Sequence, residues 1–290
     1  MPPGTLRLGA QEFTDAELVV MAVVNRTPDS FCDKGSSYRL EDAISAVDSA
    51  VRNGAQIVDI GGVKAAPGPE IPPAEEIRRV AGLVTEVRAR HPGLVISVDT
   101  WRAEVAEAAV VAGADVINDA WGGFDPGIAE VAAKHGAGLV CTHAGGLTPR
   151  TVARGLHYPD LIGDIRSTLD RLTERAVRLG VARESILVDP GHDFNKNTMH
   201  SLEVTRRLGE LTAGDWPVLV AVSNKDFIGE SLDLPVAERL EGTLATLAVC
   251  AWLGARVFRV HNVREARRAL DMVAVIRGSR PPRIARRATT

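Results

Sequence analysis

Eight short apolar runs in this chain each end in a polar or ionisable side chain. These are Asn25, Asp59, Asp99, Asn118 with Asp119, His143, Asp189, the Ser223-Asn224-Lys225 segment, and Arg259 with His261. Carboxylates accept hydrogen bonds from amino and ring N–H groups, and an amide both donates and accepts. A guanidinium can lie over an aromatic face. Converging, such groups suit a flat, nitrogen-rich ring. Taken singly, each has a plainer reading. An aspartate after a strand often caps the next helix, which would do for Asp99 or Asp189 alone. Asn118 or His143 alone is more often a satisfied packing residue. Capping does not require carboxylates, amides, Lys, Arg and His in one ring.

Other chemistries are weaker. His143 and His261 lack the paired spacing of a zinc site, and Asn25 with carboxylates would suit Mg²⁺ at most. There is no Gly-x-Ser-x-Gly elbow, and Cys141 lies inside an apolar run, where a thiol is inert.

The elements that must position these groups are legible from periodicity. Strand candidates cover residues 18–24, 56–59, 94–99, 116–118, 139–142, 186–189, 218–223 and 257–261. Helical patterns such as 40–52, 74–90, 103–112 and 241–253 lie between them. The runs are continuous rather than alternating, as strands buried on both faces of a parallel sheet require. Asn53-Gly54-Ala55, Ala112-Gly113-Ala114, His135-Gly136-Ala137 and Leu253-Gly254-Ala255 recur where helix hands over to strand. A glycine there closes the helix in the left-handed conformation.

The expected fold class is therefore α/β, a (β/α)₈ TIM barrel over residues 1–277, followed by a basic, disordered tail at 278–290. An open doubly wound sheet is the alternative, because periodicity does not reveal closure. In the barrel, active sites sit at the C-terminal ends of the strands, where the polar residues fall. The segment 26–38 is too long for an ordinary strand-to-helix turn, which marks it as a functional loop.

Composition narrows the function. The chain has 290 residues, 45% of them hydrophobic and 4% aromatic, with a formal net charge of −3. That balance argues against nucleic-acid binding, so an anionic ligand would have to meet a local cluster of cations. Cys32, Cys141 and Cys250 are scattered, which gives neither a disulfide framework nor a metal motif. The polar N-terminus carries no signal pattern, and no apolar run is long enough for a membrane span. A cytoplasmic protein is expected.

The motifs resemble those of dihydropteroate synthase, in order, from about Leu18 to about Val275. Val24-Asn25-Arg26-Thr27-Pro28-Asp29-Ser30-Phe31 is similar to the family's first-loop signature. Val58-Asp59-Ile60-Gly61-Gly62 with Pro67-Gly68, Ser97-Val98-Asp99-Thr100, Ile117-Asn118-Asp119, Val188-Asp189-Pro190-Gly191 and Arg259-Val260-His261 also match. That family joins p-aminobenzoate to 6-hydroxymethyl-7,8-dihydropterin diphosphate, releasing diphosphate with the help of Mg²⁺. The resemblance implies that Asp99, Asn118, Asp189 and Lys225 grip the pterin while Arg259 stacks on it. It implies that Asn25 meets the Mg²⁺–diphosphate and that Arg259 and His261 hold phosphate oxygens. Lys225, Arg259 and His261 become the catalytic candidates. Pro28, Phe31, Lys64, Ser223 and Asn224 become the second-substrate pocket, open to p-aminobenzoate or sulfa-like analogues. A homodimer through the late helices is also implied.

This chain departs from the family in the second half of that site. Where the family carries Glu-Ser-Thr-Arg-Pro-Gly, it reads Val63-Lys64-Ala65-Ala66-Pro67-Gly68. Where the family carries Ser-Arg-Lys, it reads Ser223-Asn224-Lys225, and the glycine two places before that serine is Ala221. His192, Asp193 and Asn195 occupy positions that are otherwise Gly or apolar. The expectation is a synthase homologue with a retained pterin pocket and weak or absent synthase activity. One alternative is an active synthase in which Lys64 replaces the lost arginine. Another is a non-catalytic pterin-binding or regulatory barrel. A corrinoid-linked methyltransferase ranks lower, since no cobalamin-domain sequence is attached.

Overall fold

A computed structural model describes residues 5–27, 39–152 and 157–287. It begins with a hairpin that periodicity did not reveal. Strands β1 (Leu6–Leu8) and β2 (Gln11–Phe13) pair antiparallel, Leu6 opposite Phe13. Three-residue strands are too short to carry a period, which is why the N-terminus read as merely polar.

Eight parallel strands follow: β3 (Val19–Asn25), β4 (Ile57–Gly61), β5 (Val95–Asp99), β6 (Val116–Asp119), β7 (Gly138–Thr142), β8 (Ile186–Asp189), β9 (Leu219–Val220) and β10 (Val257–Val260). Their order in the sheet is β8-β7-β6-β5-β4-β3-β10-β9. A parallel bridge between Val188 and Val218 joins the two ends, and the Val188 N–H donates to the Pro217 carbonyl at 3.1 Å. The sheet is thus closed into the (β/α)₈ barrel, which disposes of the open-sheet alternative. The expected run 218–223 contributes only two ladder residues, because its polar end leaves the ladder for the mouth.

The outer layer is built by α1 (Leu40–Arg52), α2 (Pro73–Arg90), α3 (Ala103–Val111), α4 (Gly127–His135), α5 (Leu161–Leu179), α6 (Thr198–Arg206), α7 (Leu208–Thr212), α8 (Asp226–Leu232), α9 (Leu240–Trp252) and α10 (Val263–Ile276). The hand-over glycines Gly54, Gly113, Gly136 and Gly254 all have positive φ, between 65° and 113°.

Inside the barrel, Val19, Met21, Ile57, Val95, Val116, Val140, Leu187, Leu219 and Val257 form one buried cluster with Leu6, Leu8 and Phe13 of the hairpin. The hairpin therefore plugs the floor, and the polar strand ends line the opposite rim. Beyond α10, residues up to 287 are exposed and irregular, and Asp271 holds Arg280 at 2.8 Å and Arg283 at 3.3 Å.

Candidate functional site at the barrel mouth

Strand alternation decides which side chains face the mouth. Residues two apart share a face, so the interior positions Ile57, Val95, Val116, Leu187 and Val257 carry Asp59, Ser97, Asn118, Asp189 and Arg259 above them, with Asp99 one step further. Arg259 reaches across this ring. Its Nε lies 2.6 Å from Asp59 Oδ2 and its Nη2 2.9 Å from Asp99 Oδ2. Asp59 also accepts from Ser97 Oγ at 2.6 Å and from Asn118 Nδ2 at 3.1 Å. Asp59 was given no role from the sequence. It is the hub of the cluster, fully buried and charge-paired, and only its place at a strand end hinted at this.

Asp189 and Lys225 face the same space without bonding each other. Asp189 Oδ1 accepts from the Gly191 N–H at 2.7 Å. Lys225 Nζ donates to the His192 carbonyl at 2.5 Å and sits 4.7 Å from the Phe194 ring centre. Gly191 is obligatory in this turn, since at φ 68° a Cβ would lie 2.2 Å from the His143 carbonyl oxygen. Burial pushes the Asp189 carboxyl up, against the Gly191 N–H and the cations of Lys225 and Lys196. Burial likewise depresses Lys225, which the carboxylates of Asp193 and Asp189 oppose. Asp99 is pushed up to about 7 by burial, with Arg259 pulling it down and Asp59, Glu76 and Asp119 adding to the rise. An uncharged, hydrogen-bond-ready carboxyl is what desolvation favours here.

Asn25, Asn224 and His261 stand apart from this ring and line a cavity of about 620 Å³ beside α1 and the start of α9. The Asn25 amide oxygen lies so close to Gly61 that a Cβ there would be 2.8 Å away. His261 Nδ1 is 3.1 Å from Ser223 Oγ, which also accepts from the His261 N–H at 3.2 Å. Asn224, at φ 58°, donates its N–H to Thr243 Oγ1 at 3.0 Å. Pro28 and Phe31 lie outside the described residues.

The departing loop has its own neighbours. Val63 packs against Trp101 and Trp121, with Leu147 and Phe194 beside them. Trp101 and Trp121 meet edge to face at 6.1 Å, as do Trp121 and Phe194 at 5.2 Å. An apolar cap thus stands where the family's acidic residue would be. Lys64 makes no hydrogen bond or ion pair among the described residues. The loop is tied instead by Arg150, from beyond β7, which donates to the carbonyls of Ala66 at 3.2 Å and Pro69 at 2.6 Å. Nothing in the sequence signalled that tether.

A buried chain of polar groups supports the β8 turn from behind. Lys196 Nζ contacts His143 Nδ1 at 2.7 Å and donates to the carbonyls of His143, Gly191 and Phe194 at 3.0–3.2 Å. His143 Nε2 in turn lies 2.8 Å from Asp164 Oδ2. Burial holds His143 down at about 4 and Lys196 at about 7. His143 is therefore a positioning group under the site.

The pterin binding enzyme model matches residues 21–261, the span that builds the barrel and all of these groups. The chain belongs to that family. It is 52% identical over 268 residues to "Inactive dihydropteroate synthase 2" of Mycobacterium tuberculosis, covering 91% of this chain and 84% of that protein. It is 39% identical to the dihydropteroate synthase of Bacillus subtilis, covering 88% and 87%. Among solved structures, the Yersinia pestis synthase with a sulfonamide drug superposes with a TM-score of 0.89 at 33% identity, over 95% of this chain and all of that one. The chain is a dihydropteroate synthase homologue in sequence and in fold.

Among the described residues, no three His, Cys, Asp or Glu side chains gather as a metal site. None of the described helices is long and apolar enough to cross a membrane.

Proposed function

We propose that this chain is a pterin-binding member of the synthase family whose synthase activity is weak or lost. The observation that carries the reading is the contrast between two halves of one rim. Asp99, Asn118, Asp189, Lys225 and Arg259 all occupy inward or rim positions, while the β4–α2 loop has Ala65 and Ala66 and the β9 end has Asn224. The first half would read a pterin through carboxyl, amide and ammonium groups, with Arg259 leaving its carboxylates to lie over the ring. The second half carries alanine and asparagine where the family's Thr and Arg donors would meet p-aminobenzoate and diphosphate.

The synthase reaction displaces diphosphate as negative charge grows on the leaving oxygen. A donor aimed at developing charge contributes roughly 2.7–4 kcal/mol, and a charge-assisted hydrogen bond contributes about 1.5–3 kcal/mol. Two such losses lower turnover by several decades. His261 and Arg259 would remain to hold phosphate oxygens. Mg²⁺ typically arrives with substrate phosphates and few protein ligands, and the Asn25 amide oxygen is the group that would complete its shell here.

The relatives named inactive support this reading, and titration calorimetry with the pterin diphosphate and p-aminobenzoate, alongside a diphosphate-release assay, tests it. Pterin binding with little diphosphate release is expected; turnover near that of an ordinary synthase overturns it. An active synthase using Lys64 is the second reading, favoured by a lysine on that loop that has no partner among the described residues. A steep loss of turnover in Lys64→Ala would decide for it.

Pairing through the late helices fits the exposed Val249 and Trp252 of α9 and Met272 and Ile276 of α10. Trp252→Asp with Ile276→Asp is expected to convert a dimer to a monomer in sedimentation. A reducing cytoplasm suits the free, buried Cys141 and Cys250.

A further inference from the structure

Strand β7 is apolar except at its end. Leu139, Val140 and Cys141 are buried in the core clusters, and Thr142 follows, 1% exposed. Val140 belongs to the barrel interior. Thr142, two residues on, therefore faces the mouth. Its Cα partner across the ladder is Asp189, whose own predecessor on that face, Leu187, is also interior. Thr142 and Asp189 thus stand side by side on the inner rim.

The Thr142 hydroxyl is buried and has no hydrogen-bond partner among the described residues. The other polar groups that line this part of the rim are engaged: Asn118 and Ser97 with Asp59, Asp189 with Gly191, and Lys225 with His192. The Thr142 methyl is 3.4 Å from where a Cβ on Gly191 would sit, so the methyl packs toward the β8 turn. Buried hydroxyls are nearly always satisfied, and one left without a partner costs free energy that valine, its steric match, would not. A strand that otherwise buries only apolar side chains gains nothing from a hydroxyl at this point unless something in the mouth meets it.

We propose that Thr142 is a ligand-reading residue of the mouth site, satisfied when a heterocycle binds. A hydroxyl donates and accepts, so it fits a ring nitrogen or oxo group next to the amino and N–H edge that the neighbouring Asp189 would read. The ligand class is a fused heteroaromatic bicycle with a hydrogen-bonding atom on the edge facing β7. This inference rests on the pterin reading and refines it.

The test compares wild type, Thr142→Val and Thr142→Ser by calorimetry and by thermal melting, with 6-hydroxymethyl-7,8-dihydropterin as the probe. One neutral hydrogen bond corresponds to roughly a 2- to 13-fold change in affinity. T142V should weaken Kd within that range, T142S should stay within about twofold of wild type, and the ligand-free Tm of T142V should equal or exceed that of wild type. Unchanged affinity in T142V, or a lower ligand-free Tm, overturns the assignment, since the hydroxyl would then be idle or structurally bonded. If the wild type takes up no pterin, the pterin reading falls by itself. The ligand-free melting temperatures then decide Thr142: a fall in T142V rejects it, and a rise keeps it for a different heterocycle.

Discussion

Asp59 and Arg259 are separated by 200 residues in the chain and by 2.6 Å in space. Asp59 sits at the second stave of the barrel and Arg259 at the eighth, with the first stave between them. The parallel pairing of the eighth stave with the first brings them together. The carboxylate has no exposure to solvent, and the guanidinium is its one charged partner among the described residues, with Ser97 and Asn118 supplying neutral donors.

Removing that cation leaves a buried carboxylate uncompensated, which typically costs 3–5 kcal/mol. Arg259→Met should therefore lower unfolding stability in urea by about that amount. Asp59→Asn added to it should recover a large part, because the charge that needed compensation is then gone. An additive double variant would mean that the two residues are not coupled.

The rear support of the site should be visible as a pH dependence. Lys196 is held at about 7 in the folded protein, against 10.5 as its ordinary value. Between those values the unfolded chain binds more protons, so stability rises as pH rises from about 7 toward 10.5 and is level below about 7, where both states hold the proton. The limiting slope is about 1.4 kcal/mol per pH unit for one proton. Lys196→Met should remove that slope. A slope that persists in the variant would place the titration elsewhere.

Replacing Val63-Lys64-Ala65-Ala66 by Glu-Ser-Thr-Arg, together with Asn224→Arg, restores the absent donors on a scaffold that already carries the rest. Diphosphate release should rise by at least about 10²-fold, the scale of one transition-state donor. Asn224 is at φ 58°, where arginine is less at ease than asparagine, so a stability loss of roughly 1 kcal/mol should accompany it. No gain in turnover would mean that the deficiency lies outside these loops.

The floor plug has a stability signature distinct from the site. Leu8 is completely buried among the lowest interior residues of the barrel. Leu8→Ala should cost about 2–5 kcal/mol through lost burial and the cavity left behind. Pterin affinity measured well below the new Tm should be unaffected, as the rim lies at the opposite end of the barrel.

Much of this was legible in the chain as written. Continuous Val/Ile runs between amphipathic stretches announced buried parallel strands, because a strand covered on both faces has no polar alternation to show. The hand-over glycines announced helix ends, because a left-handed residue without a Cβ is the least costly way to stop. The ring of polar residues was readable as a list, since each one follows an apolar run.

What the sequence could not decide were the relations between residues whose contact exists only in three dimensions. Closure through Val188 and Val218, the pairing of Arg259 with Asp59, the Arg150 tether onto the alanine-bearing loop and the orphan hydroxyl of Thr142 all depend on distances between separate staves. Local patterns record what each segment prefers. Which charges and hydroxyls end up satisfied is settled only when the barrel has set them side by side.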